Sequence, residues 1–329
     1  MADLSVQYMG YKLKNPIIVG SSSLTGNVDG VKRSEEAGAG AVVLKSLFEE
    51  QIMAEADDLE SKALIDSSYH PEAMEYIYRM GMEHSRTEYL RFVENAVDSV
   101  KIPVFASLNC VSKGGWVDYA RRLQDAGAAG LELNMYVTPR NPHTSCDDIE
   151  RTYYDIIKEV KSRVSLPISV KVGPFFTNFY AFAENLAALD IDSLIIFNRF
   201  FQIDIDTDNM AIVPGPVFST PKEMALVLRW TALLSKRIKV DLAATTGVVD
   251  GVSAVKLLLA GAKTVHVSSV LYRRGIGHVT AIVNEIEEWM KSKGFASTGE
   301  FIGKLAKSGD EHPGLYDRVQ FIKTFVGLE

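Results

Sequence analysis

Two kinds of segment alternate along the chain, and their alternation fixes the fold class before any single residue is considered. One kind closes a helical stretch with small residues and runs into an apolar stretch: AGAGAVVLKS (37–46), AGAAGLELN (126–134), LDIDSLIIFN (189–198) and AGAKTVHVSS (260–269). The other sets a proline, or a lysine in its place, ahead of an apolar stretch: KNPIIVGS (14–21), KIPVFASL (101–108), SLPISVKV (165–172) and KRIKVDLA (236–243). Within each kind the members lie roughly 60 to 90 residues apart, a regular enough spacing to mark a repeated supersecondary unit. The two series interleave and give eight short runs rich in Val, Ile and Leu. That is the composition of strands buried on both faces of a parallel sheet.

Helical patterns fill the intervals: 30–37, 116–126, 148–164, 179–189, 221–235, 251–260 and 279–293. Strict strand–helix alternation predicts a single α/β domain, a closed (βα)8 or TIM barrel. The alternative is a doubly wound open sheet, but no GxGxxG opens a helix after the first strand. The expected division is a barrel over 1–293 and a C-terminal helical extension over 294–329. The loop after the second strand (46–101) is long and should hold helical pieces of its own. In the loop after the sixth strand (199–220), the alternation FQIDIDTDN suits a small hairpin.

Composition narrows the function. In 329 residues, 35 Lys+Arg stand against 42 Asp+Glu, for a net charge of −7. That disfavours a nucleic-acid-binding surface. The two cysteines, Cys110 and Cys146, cannot build a four-cysteine cluster or a disulfide framework. The N-terminal MADLSVQYMGYKLKNP lacks a signal-peptide pattern, and no apolar run approaches the roughly 18 residues of a membrane span. A soluble protein of the reducing cytoplasm is expected.

In such a barrel, chemistry sits where strands end. The strand ends here are Gly20–Ser21–Ser22, Lys45–Ser46, Ser107–Asn109, Asn134, Lys171, Asn198, Thr245–Thr246–Gly247 and Ser268–Ser269. Lysines are rarely buried without a partner. Lys45 and Lys171, each closing an apolar run, therefore point either to an anionic ligand or to pairing with a carboxylate such as Glu132. Gly247 and Ser268–Ser269 follow strands 7 and 8, the usual phosphate position, although tight turns alone would use the same residues.

With these residues in view, the chain resembles the dihydroorotate dehydrogenase family over roughly residues 3–293, most of all its soluble class 1 branch. The carriers of the likeness are NPIIVGSSS, AVVLKS, GLELN, ISVKV, LIIFN and TTGVVDGVSAVKLLLAGAKTVHVSSVLYRRG. The resemblance implies FMN across the barrel mouth. Gly20 and Ser21 would pack on its ring, with Lys45 and Asn134 at the polar edge. Lys171 would offset the charge of the reduced flavin. Ser46, Asn109, Asn198, Thr246, Gly247, Ser268 and Ser269 would complete the cofactor contacts. A small anionic substrate would meet Lys45, Tyr78, Met80, Gly81, Asn134, Asn198 and Arg199. The family's soluble relatives are usually homodimers, so a homodimer is expected by resemblance.

Three departures matter. The family's strand-4 loop, N-x-S-C-P-N or N-x-S-S-P-N, carries the Cys or Ser base, whereas this chain reads NMYVTPRNP. Without a gap the base position is Val137; with a one-residue insertion it is Thr138, the expected catalytic residue beside Lys45. The substrate-holding N-S-M-G motif reads YRMGM, which substitutes Tyr78 and Arg79. Arg199 replaces the family's Ser or Thr and suits a planar carboxylate. The expected function is FMN-dependent oxidation of dihydroorotate or a related cyclic anion, with the electron acceptor open. Alternatives are a flavin-binding paralogue acting as a sensor or partner subunit, and a lyase using Lys171 as a Schiff-base nucleophile.

Overall fold

The computed structural model describes residues 2–49, 51, 86–110, 117–137, 141–199, 202–306, 321–323 and 326. Eight parallel strands close on one another: β3 (Ile17–Val19), β4 (Ala41–Val43), β6 (Val104–Cys110), β7 (Gly130–Met135), β8 (Ile168–Val172), β9 (Ser193–Ile196), β12 (Asp241–Thr245) and β13 (Thr264–Val267). The ring closes where β4 pairs with β6, Val42 facing Val104. Between β4 and β6, the short β5 (Leu47–Phe48) extends the ladder, with Leu47 facing Leu108. The barrel read from the interleaved repeats is the observed fold; each of its eight strands begins inside an expected segment, and β6, β7 and β12 run one or two residues past the segment's end.

Side-chain parity explains why these runs carry so few polar residues. Alternate residues such as Val42, Leu44, Leu131, Leu133, Val170 and Leu194 pack outward into one large core with the helices. Their neighbours Ile18, Ala41, Val43, Phe105, Ile195 and Ala243 form a second, inner cluster. Period-two alternation with both faces buried is what a barrel strand requires.

The helices are α1 (Val28–Glu36), α2 (Arg86–Ser99), α3 (Val117–Asp125), α4 (Cys146–Arg163), α5 (Phe179–Ala187), α6 (Met224–Leu234), α7 (Gly251–Ala260), α8 (Ser269–Arg274) and α9 (His278–Lys293). Their starts are fixed by caps at α1, α4 and α7. Asn27 accepts from Gly30 N, Ser145 from Asp148 N and Asp250 from Ser253 N. The expected hairpin after strand 6 is present as β10 (Ile203–Asp206) and β11 (Ala211–Pro214).

Besides the two-residue β5 and single 3-10 turns, two elements escaped the sequence reading. The hairpin β1 (Val6–Tyr8) and β2 (Tyr11–Leu13) plugs the end of the barrel opposite the βα loops, adding Val6, Tyr8, Met9 and Leu13 to the inner cluster. Ser193 donates to the Tyr8 hydroxyl at 3.0 Å, and Met9 N–H donates to Asp241 at 3.0 Å. The six residues of α8 are the other, too short for a periodicity to register. Beyond α9, Phe301 is fully buried and lies edge-on to Trp289. Gly303 N–H donates to Leu258 O at 2.9 Å, and Ser297 bridges Asp3, so this stretch ties the N-terminus to α7.

Candidate active site at the barrel mouth

Register aligns the polar strand ends. Asn109 of β6 faces Asn134 of β7, and Asn134 faces Lys171 of β8. One level below, Ser107 faces Glu132 and Glu132 faces Ser169. Two polar layers therefore lie on top of the apolar inner cluster.

In the upper layer Asn198 Nδ2 donates to Asn134 Oδ1 at 2.8 Å. Lys171 has a side chain only 11% exposed, with Nζ 3.6 Å from Glu132 Oε1. The pairing with Glu132 considered from sequence thus exists, but at a length outside hydrogen-bond range. Among the described residues the ammonium donates to no acceptor.

Lys171, Asn198, Thr246, Gly247, Ser268 and Ser269 share a cavity of about 120 Å³ that also reaches Ser21 and His266. Its floor is set by backbone geometry. Thr246 and Gly247 both have φ of 80°, and Thr246 Oγ1 donates to Phe197 O at 3.1 Å. A Cβ on Gly247 would sit 2.7 Å from Met224 N, and one on Gly20 would sit 2.9 Å from Ser268 Oγ. Ser219 was missed from sequence; it accepts from Gly247 N–H, and Ser269 accepts from Ser219 N–H.

Lys45 is held apart from this cavity. Together with Ser46, Gln51 and Tyr89 it lines a separate small recess, and its carbonyl accepts from the Tyr89 hydroxyl at 2.7 Å. Ser46 connects the two regions, since its Oγ lies 2.9 Å from Ser21 Oγ and 2.8 Å from Ser107 Oγ.

Arg199 lines the main cavity, but its guanidinium is largely engaged by the loop after β9. Nε donates to Glu223 Oε1 at 2.8 Å, Nη1 to Val217 O and Nη2 to Gln202. Burial pulls the Glu223 carboxyl upward, but the Thr220 N–H and Arg199 hydrogen bonds outweigh it and leave its pKa lowered.

Tyr78, Met80, Gly81 and Thr138 lie outside the described residues. Val137, the ungapped base position, is half-buried against the outer core, and its N–H donates to the Tyr153 hydroxyl at 3.1 Å. Tyr136, Val137, Cys146, Tyr153, Phe175 and Phe176 line a further recess of about 340 Å³, largely apolar, between the loops after β7 and β8.

Two buried residues lie below the mouth: Glu132, expected from sequence only as a counter-charge for the lysines, and His266, not singled out from sequence. Glu132 is 1% exposed, and His266 lies with Nδ1 3.8 Å from Glu132 Oε2. Burial first, and then the Lys171 charge, depress the His266 pKa to about 3, so the imidazole is neutral and this approach is no ion pair. The available signal was a single polar residue interrupting each of the apolar runs GLELN and TVHV.

Among the described residues no cluster of three or more His, Cys, Asp or Glu could hold a metal ion. No described helix is long and apolar enough to cross a membrane.

Comparison with known proteins agrees with the motif order. A dihydroorotate dehydrogenase family model matches residues 3–290. The chain is 24% identical over 315 residues to the catalytic subunit of dihydroorotate dehydrogenase B (NAD(+)) of Thermoplasma volcanium, covering 93% of this chain and 100% of that protein. It is 23% identical over 328 residues to dihydroorotate dehydrogenase (fumarate) of Lachancea kluyveri, covering 92% and 98%. To dihydroorotate dehydrogenase A (fumarate) of Lactococcus lactis it is 28% identical over 218 residues, covering 62% and 69%. The chain belongs to the dihydroorotate dehydrogenase family, FMN-dependent oxidoreductases acting on CH–CH groups.

Proposed function

We propose that the chain oxidises dihydroorotate, or a small cyclic anion of the same chemical type, with FMN seated across the barrel mouth. The observation that carries this is Lys171. It is a buried ammonium with no hydrogen-bond acceptor among the described residues, and it faces a cavity floored by Gly247, Ser268 and Ser269.

The donor set fits FMN. A ring with imide and anionic edges calls for amides and an ammonium, and a terminal phosphate calls for small residues and hydroxyls at the ends of strands 7 and 8. Gly20 and Gly247 keep the cavity clear where any Cβ would collide. Bound FMN supplies a hydride acceptor. The chain's part is to orient and to hold charge. The Asn198–Asn134 hydrogen bond fixes the Asn134 amide so that its N–H groups face outward. Lys171 holds a positive charge in a water-poor site, where it acts more strongly than in solvent. Ser46, Asn109 and Thr246 border the cofactor, while Lys45 reaches the substrate from its own recess. Arg199, tied to Glu223, shapes the rim beside the substrate. Tyr78, Met80 and Gly81 complete the substrate contacts, and Thr138 takes the proton.

The same proposal includes the division into an FMN-binding barrel (1–293) and an extension (294–329), a homodimer, and a cytoplasmic setting. The relatives' names carry two acceptors, NAD(+) and fumarate. Both belong in the acceptor assay, and sedimentation tests the dimer.

The purified protein should be yellow, and dihydroorotate added without oxygen should bleach the flavin band. Colourless protein that fails to take up FMN would sink the reading. A second reading, a flavin-binding paralogue acting as a sensor or partner subunit, draws on Val137, an apolar residue at the ungapped base position. Persistent yellow colour with dihydroorotate would favour it.

A further inference from the structure

The layer beneath the mouth holds a carboxylate that the orientation of substrate and cofactor does not use. Glu132 Oε1 accepts from Ser107 Oγ at 3.2 Å and stands 3.6 Å from Lys171 Nζ, while among the described residues Oε2 has no hydrogen-bond partner. A buried carboxylate is costly without a counter-charge, and the same is true of a buried ammonium. Each therefore holds the other in place. Their separation exceeds a hydrogen bond, so the ammonium is attracted downward without being captured.

Ser107 is what keeps the carboxylate at that distance, and a hydroxyl chain fixes Ser107. Each serine has one proton to donate. Ser107 gives its proton to Glu132, so its oxygen accepts from Ser46, and Ser46 in turn accepts from Ser21. Ser21 Oγ also takes the Ser46 N–H at 2.9 Å, which anchors the rim end of the chain. All three hydroxyl protons point toward Glu132. On the opposite side, neutral His266 offers no charge to replace Lys171.

We propose that Glu132, held by the Ser21–Ser46–Ser107 hydroxyl chain, is a positioning residue that sets how far the Lys171 ammonium reaches into the mouth and thereby the reduction potential of FMN bound there. The inference rests on the reading that FMN occupies this mouth. Reduction adds negative charge near Lys171, so whatever strengthens the ammonium's field at the mouth raises the potential.

The test is the midpoint potential of the FMN-loaded protein, measured by anaerobic equilibration with a reference dye. Glu132→Gln keeps the shape and an acceptor for Ser107 but removes the negative charge, so the potential should shift positive. Ser107→Ala frees the carboxylate to close on Lys171 and draw it down, so the potential should shift negative. A merely structural role would loosen FMN in both variants without moving the potentials in opposite directions. An unmoved or negative shift in Glu132→Gln overturns the proposal. Should that variant fail to fold, Ser107→Ala decides, with no shift counting against it. Wild-type protein that takes up no FMN would overturn the site reading and this inference together. FMN-loaded protein with unmoved potentials overturns the positioning role alone.

Discussion

Asn198 Nδ2 and Asn134 Oδ1 meet at 2.8 Å across the barrel mouth, joining the ends of two strands that are not neighbours in the sheet. The bond engages Asn134's carbonyl, and among the described residues its N–H groups donate to no acceptor, which leaves them for a ligand. Asn198→Asp would reverse the geometry, because a carboxylate accepts only and would draw the Asn134 N–H groups toward itself. Substrate binding should weaken by the worth of a lost hydrogen bond, about 1 kcal/mol or roughly five-fold. Titrating anaerobic flavin bleaching against dihydroorotate reads that change directly. Asn198→Asp protein with unchanged half-saturation would show that Asn134 does not orient the substrate.

His266 predicts an acid sensitivity. Its folded pKa is depressed to about 3 by burial and the Lys171 charge, against an ordinary value of 6.5. Below 6.5 the unfolded chain binds a proton that the folded chain refuses, so stability is intact above that value and falls as pH drops from 6.5 toward 3. Both ring nitrogens also lack a hydrogen-bond partner among the described residues. His266→Leu should therefore cost little near pH 7.5 and lose less stability than the wild type between pH 7.5 and 5. Thermal melts at the two values check this, and identical acid losses would rule out His266 as the source.

Most of the framework was legible because it is periodic. The strand segments around Ile17, Val42, Val104, Leu131, Val170, Leu194, Ala243 and Val265 are apolar on both faces, and a barrel is the arrangement that buries both. The strand-end residues were legible for the opposite reason: Lys171 and Asn134 are polar where the pattern is apolar. What escaped was non-periodic or pairwise. Neither the plugging hairpin around Met9–Gly10 nor α8 is long enough for a repeat to register. That Lys45 sits in a separate recess and that Arg199 is taken up by Glu223 depend on rotamers and loop paths that no spacing encodes. Glu132 and His266 read as interruptions of two strands, and only the inward parity of both turned them into one cluster.

Gly247 separates fold from site. Its φ of 80° is left-handed, and an added Cβ would come within 2.7 Å of the Met224 backbone nitrogen. Gly247→Ala therefore combines a strained backbone, about 1–3 kcal/mol, with displacement of the cavity floor. Weakened FMN retention is expected together with a lower melting temperature. Gly30→Ala is the control for stability alone, because its Cβ would meet Leu24 O at 1.9 Å in α1, whose residues do not line the cavity. That variant should melt lower, by an amount in the upper part of the usual range for single substitutions, about 2–3 kcal/mol. The protein that does fold should keep FMN with wild-type affinity. If Gly247→Ala retains FMN as tightly as Gly30→Ala, the floor around Gly247 is not where the cofactor is held.

The proton acceptor is the sharpest point of division between the two functional readings. Val137 cannot serve, since its side chain is apolar and its N–H is committed to Tyr153. If Thr138 takes the substrate proton, Thr138→Ala should slow anaerobic flavin bleaching by dihydroorotate about 10²- to 10⁴-fold, the usual worth of a positioned general base. Thr138→Cys makes the stronger case. A thiol titrates near pH 8.5, far below an alcohol, so the variant should bleach faster than the wild type and accelerate as pH rises toward that value. A merely structural threonine would give neither the acceleration nor the pH profile. Stopped-flow absorbance with FMN-loaded protein separates these outcomes. If Thr138→Ala bleaches like the wild type, the proton leaves by another group. If neither protein bleaches while both stay yellow, dihydroorotate is not the substrate and the paralogue reading takes its place.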